Sequence, residues 1–103
     1  MTDQTASAVR DLRELSAVEI IGAHCTDLMT AAAVHLGLYD QTEPDLAEAR
    51  ILIEALAGLI NAAAPSLGGH HVAPMRDGLA KLQQEFRDRS TIPDPPGQGP
   101  GEA

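Results

Sequence analysis

Between Asp45 and Ala64 the chain reads DLAEARILIEALAGLINAAA, and its polar residues inside that stretch are few. Arg50, Glu54 and Asn61, with Gly58 beside them, fall within roughly a quarter of a helical wheel at about 100° per residue. Leu46, Ala49, Ile53, Leu56 and Ile60 make one apolar row, which Leu52, Leu59 and Ala63 widen. A helix that only rests on a core needs an apolar stripe of about 100°. This one has far more, so it is central in its own fold, or offers a second face to a partner, or both. A membrane span is not expected of it: a span needs about 20 predominantly apolar residues. Here Glu48, Arg50 and Glu54 interrupt the first half.

Two further helices flank this one. Ser16-Ala17-Val18-Glu19 has the form of a capping box, with Leu15 and Ile20 placed as a hydrophobic staple. From there Ile21, Cys25, Leu28, Ala32 and Leu36 step by three and four, and Gly37 is placed to end the helix in the left-handed conformation. Asp45 with Glu48 caps the middle helix, Pro65 is expected to stop it, and residues 66–69 are expected to turn. A third helix starts between His70 and Pro74; Val72, Met75, Leu79, Leu82 and Phe86 give it a narrow 3-4 seam. The predicted helices cover about 16–37, 45–64 and 70–90. Residues 1–14 are polar and mixed in charge and read as a flexible arm or a frayed helix, with the arm as the expectation. Residues 91–103, TIPDPPGQGPGEA, carry too much proline and glycine to fold and read as a disordered tail. The expected architecture is all-α: one domain over 15–90, with three antiparallel helices joined by short loops and disordered termini.

Size and charge narrow the function. About 75 ordered residues hold a single core that contributes roughly 3–5 kcal/mol net. Cys25 is the one cysteine, so no disulfide within the chain reinforces that core. Domains of this size are usually reinforced by disulfides, metal or self-association, and with disulfides excluded a homodimer sharing a helical core is expected. Ile21, Leu28, Leu52, Leu56 and Leu59 are the candidate contacts, apolar positions that a lone chain would leave exposed. Fifteen acidic against seven basic residues give a formal charge of −8, which repels phosphate backbones and argues against direct nucleic-acid binding. A protein partner is compatible with that charge. The first residues, MTDQTASAVRDLRELS, have no apolar run and do not read as an export signal, so the cytoplasm is the expected compartment.

Chemistry-bearing residues are sparse. His24, His35, His70 and His71 could serve a ligand- or metal-binding module, the alternative function. Their spacing matches no compact ligand pattern, and adjacent helical residues point about 100° apart. Half-buried histidines on a helix face, and a solvated turn at 70–71, account for them more simply. Cys25 on an apolar row reads as a small buried hydrophobe rather than a nucleophile. Gly68-Gly69 before a helix could cradle an anion, but a plain turn is the simpler reading. No catalytic residue and no cofactor are expected, and the chain does not read as an enzyme.

Taken together, AAAVHLGL, DLAEARILIEALAGLI and LQQEFRDRS, spread over residues 16–90, resemble the bacterial domain of unknown function 1844 family. The resemblance rests on Ala32 to Gly37, Leu46 to Leu56 and the helix after Leu67, and HHVAP and PGQGPGE resemble its actinobacterial branch. It implies no activity, substrate or cofactor. It implies a neighbourhood to a translation initiation factor gene in that branch, and it puts a histidine at the position of His35. Where other branches open the third helix with a Glu-rich turn, this chain has Gly68, Gly69, His70 and His71. The expected function is therefore a small cytoplasmic interaction or regulatory protein that self-associates through apolar helix faces.

Overall fold

The computed structural model of the chain describes residues 3–39 and 43–102. Part of the connection expected over 39–44 thus lies outside the described residues.

The middle helix, α3 (Leu46–Leu67), begins where Asp45 Oδ1 accepts the Glu48 amide at 3.2 Å. The preceding helix, α2 (Ala17–His35), begins at Ser16, whose hydroxyl accepts the Glu19 amide. It ends as the glycine predicted. Gly37 has φ +82°, the Leu38 amide donates to the Ala33 carbonyl and the Gly37 amide to the Val34 carbonyl. Those two bonds make a Schellman motif, which satisfies carbonyls that the helix end leaves open. The Asp45 amide then donates to the His35 carbonyl at 2.7 Å and ties the start of α3 to the end of α2.

Pro65 does not stop α3, contrary to the expectation. Its missing amide removes one bond near the end of the helix, while Leu67 beyond it packs against the core. The helix ends instead at Gly68, with φ +87°, whose carbonyl accepts the Val72 amide of the next helix, α4 (Gly69–Arg89). The expected four-residue turn is thus a single glycine. Pro74 sits inside α4 rather than near its start.

The three-helix count also needs correction. Residues expected to be a flexible arm form a fourth helix, α1 (Asp3–Glu14), separated from α2 by Leu15 and Ser16. The described residues are all helix, turn and loop, without a strand. The termini expected to be disordered are placed as well: after Ser90 the chain folds back over α3 and α4. The expectation weighed only the helix-breaking of proline and glycine. Those residues equally favour tight turns, and two i to i+3 turns, Gln98 to Pro95 and Glu102 to Gly99, shape the segment.

α3 lies between α2 and α4 and supplies Ala49, Ile53, Leu56, Ala57 and Ile60 to one buried cluster. Cys25, Ala32, Ala33 and Leu36 enter it from α2, and Val72, Leu79, Leu82 and Phe86 from α4. All five seam residues of the predicted third helix face it, with Met75 half-buried at the edge. Cys25 meets Met75 and Met29 meets Gly78, so α2 and α4 advance in the same direction. Asn61 pairs with Arg76 and Arg50 with Phe86, so α3 runs against α4.

Candidate interaction surface

The five contact residues read from the sequence do not share an open face. Leu56 is fully buried within the chain's own core. Ile21, Leu28, Leu52 and Leu59 are half-buried and pack against that core. The wheel showed that α3 had surplus apolar surface, but could not show that α2 and α4 would cover it from two sides.

The exposed apolar surface is elsewhere. On α1, Val9 is 49% and Leu12 56% exposed, and Leu15, just past the helix, is 44% exposed. At about 100° per residue Val9 and Leu12 fall within about 60° of the wheel, and Leu15 follows where the helix ends. Among the described residues, none from α1 belongs to the buried cluster or packs against it. The opposite side of α1 carries Ser7, Arg10 and Glu14. It is an amphipathic helix with its apolar side uncovered. The signal was in the sequence, in Val9 and Leu12, but the charges around them were read as a flexible arm, and Leu15 was read as a staple for the next helix.

A second open feature is the seam between α2 and α4. Two shallow hollows of 240 and 260 Å³ lie along it and share Met29. One is lined by Thr30, Ala33, Gly78 and Leu82, the other by Gly22, Cys25, Thr26 and Met75. The Met29 side chain rests where a Cβ on Gly78 would stand, at 2.8 Å, so the glycine lets the thioether lie between the hollows. The groove runs along α2 from Gly22 to Ala33, about 16 Å at 1.5 Å per residue. α2 is also long and apolar enough to cross a membrane by length and composition. Its buried side, however, is built into the bundle.

The histidines stay apart. His24 is exposed on α2 and His35 is half-buried at its end, where its carbonyl holds the Asp45 amide. His70 and His71 open α4 with ring centroids 4.0 Å apart. Among the described residues no three His, Cys, Asp or Glu side chains converge as metal ligands would. The Cys25 thiol is buried and sits 3.9 Å from the Met75 sulfur. Burial pushes its pKa up, the opposite of what activates a thiol nucleophile.

The chain after Ser90 lies on the other side of the molecule. Pro100 is buried against α3 and α4, and its carbonyl accepts a hydrogen bond from Gln83 Nε2 at 3.0 Å. Arg87 Nη2 donates to both Glu102 carboxylate oxygens at 3.1 Å. Arg50 donates to Asp94 and stacks over the Phe86 ring at 5.0 Å.

Compared with known proteins, residues 21–88 match the family model described as a domain of unknown function, DUF1844. That span runs from the first turns of α2 nearly to the end of α4; α1 and the segment after Ser90 lie outside it. Neither a curated protein nor a solved structure matches the chain.

Proposed function

Because the chain belongs to the DUF1844 family, a domain of unknown function, we propose a role read from its uncovered surfaces: it is a self-associating interaction module. Two copies exchange their α1 helices, each laying Val9, Leu12 and Leu15 into the α2–α4 groove of the other. The uncovered apolar side of α1 carries this reading. The fit in length supports it: twelve residues of α1 make about 18 Å of helix, against about 16 Å of groove. The reading places the pair in the cytoplasm and assigns it no catalysis.

Energetics set the strength of the pairing. Complete burial of an aliphatic side chain contributes about 1.5–3 kcal/mol. The three arm residues are each only about half exposed, so six of them across two arms contribute roughly 4–9 kcal/mol. Association costs about 4–15 kcal/mol in lost freedom. A dimer that forms between about 1 µM and 1 mM needs a net of about −8 to −4 kcal/mol, so the groove surface covered by the arms must contribute as well, and the pairing is concentration-dependent rather than obligate. Light scattering coupled to size exclusion, over about 1 µM to 1 mM, should show monomer giving way to dimer. A chain that stays monomeric at the upper end sinks the proposal.

A further inference from the structure

We propose that the face formed by α3 and the C-terminal half of α4 is a peptide-binding site. Its ligand is an acidic segment folded in two tight turns and carrying Pro-Gly-Glu, and the chain's own residues 94–102 occupy it in cis. The argument is independent of the arm exchange, because it uses the opposite side of the bundle.

The seat reads the segment residue by residue. Proline is buried in it: Pro100 is enclosed, and Gln83 fixes its carbonyl. Glycine is required next, for two separate reasons. Gly101 has φ +73°, in the left-handed region, and a Cβ there would stand 2.6 Å from the Ala57 Cβ. A carboxylate must follow, because Arg87 presents its guanidinium to both oxygens of Glu102. A second carboxylate upstream, Asp94, is taken by Arg50, which Phe86 holds by stacking. In a chain of net charge −8, two of only seven basic residues face this seat, and each holds a carboxylate of the segment. That charge pattern selects an acidic ligand.

The segment is also held in a way that permits exchange. It forms neither helix nor strand, and its anchors are one buried proline, one amide donor and two ion pairs that are partly open to solvent. Regions with few buried contacts open locally more readily than the core. Tethered at Ser90, the segment has an effective concentration on the order of mM at the site. A free ligand of the same chemistry therefore competes only when it binds much more tightly or when the tether is dislodged. The chain's own residues 94–102 act as a threshold on the site.

The test uses the full chain and a fluorescently labelled peptide of residues 91–103, read by polarisation. In the wild-type chain the tethered segment competes. In Gly101→Val it cannot be seated, and in Glu102→Lys it loses its ion pair. The peptide should bind at least one of these variants, with native helicity by circular dichroism, ten-fold or more tighter than it binds wild type. Adding Arg87→Glu to Gly101→Val, whose own segment stays unseated, should abolish binding, and a peptide carrying lysine in place of the glutamate should restore it. Equal or absent binding across the folded variants and wild type overturns the proposal. So does binding indifferent to Arg87→Glu.

Discussion

Replacing Leu56 by alanine removes a side chain that the core encloses completely, and such deletions cost about 2–5 kcal/mol. The urea midpoint should fall accordingly while the slope stays constant. Leu56→Asp buries an unpaired charge and should unfold the chain outright, so it says nothing about association. Leu12→Glu is the informative change: Leu12 is 56% exposed and outside the core, so stability should move by less than about 0.5 kcal/mol while the dimer disappears. Cys25 gives a pH signature. Its thiol pKa is raised in the folded chain by burial, so between the unfolded value, about 8.5, and the higher folded one, the unfolded chain has released a proton that the folded chain keeps. Stability must then fall as pH rises through that window. Chemical denaturation at alkaline pH should show this slope, and Cys25→Ala should remove the thiol's part of it. The burial of Cys25 was legible from its place on the apolar row with Leu28 and Leu36. The exposure of Leu12 was not, because no periodicity argument says whether a stripe finds a cover.

Among the elements, α1 is the one whose stability depends on company. A helix of twelve residues without tertiary cover is marginal in water. If α1 docks on a second copy, mean residue ellipticity at 222 nm should grow more negative as the dimer forms, and Leu12→Glu should remove that dependence. At the other joints the local code is explicit. Ser16→Ala removes one of two acceptors for the Glu19 amide and should cost about 0.5–2 kcal/mol; the hydroxyl bond is long at 3.4 Å and the Ser16 carbonyl keeps the amide at 3.1 Å, which favours the lower end. Gly68→Ala puts a Cβ on a residue at φ +87° and ψ +156°, a region that is essentially glycine's alone, and should cost about 1–3 kcal/mol. Caps at Ser16, Asp45 and Gly37 stand where the sequence placed them, because a cap is decided by three or four neighbouring residues. Pro65 was misread: it takes away one hydrogen bond close to the helix end, and the half-buried Leu67 beyond it still packs against the core, a contact that local sequence does not show.

The whole molecule measures 50 × 32 × 18 Å with a radius of gyration of 15.9 Å, against about 13 Å for a compact chain of about 100 residues. The excess length fits a bundle with an arm beside it rather than a closed sphere. On one side lies a groove matched to that arm; on another, a seat already filled by residues after α4. Both features use parts of the chain outside the family match at 21–88.

By itself the sequence determined the helical class, the three bundle helices, their caps and the membership of most of the core. Those follow from periodicity and from residues a turn apart, and the chain carries both in local form. Only the tertiary structure decided which apolar surfaces were covered. Leu56 looked open on the wheel and is enclosed; Val9 and Leu12 looked like part of a flexible arm and form an uncovered stripe. The same holds after Ser90. There, proline and glycine argued against regular structure, and correctly so, yet order came from Arg50, 44 residues before Asp94, and from Gln83 and Arg87 on the helix that the segment folds back over. Burial and ion pairing are relations between distant positions, and no local pattern encodes which distant position will be there.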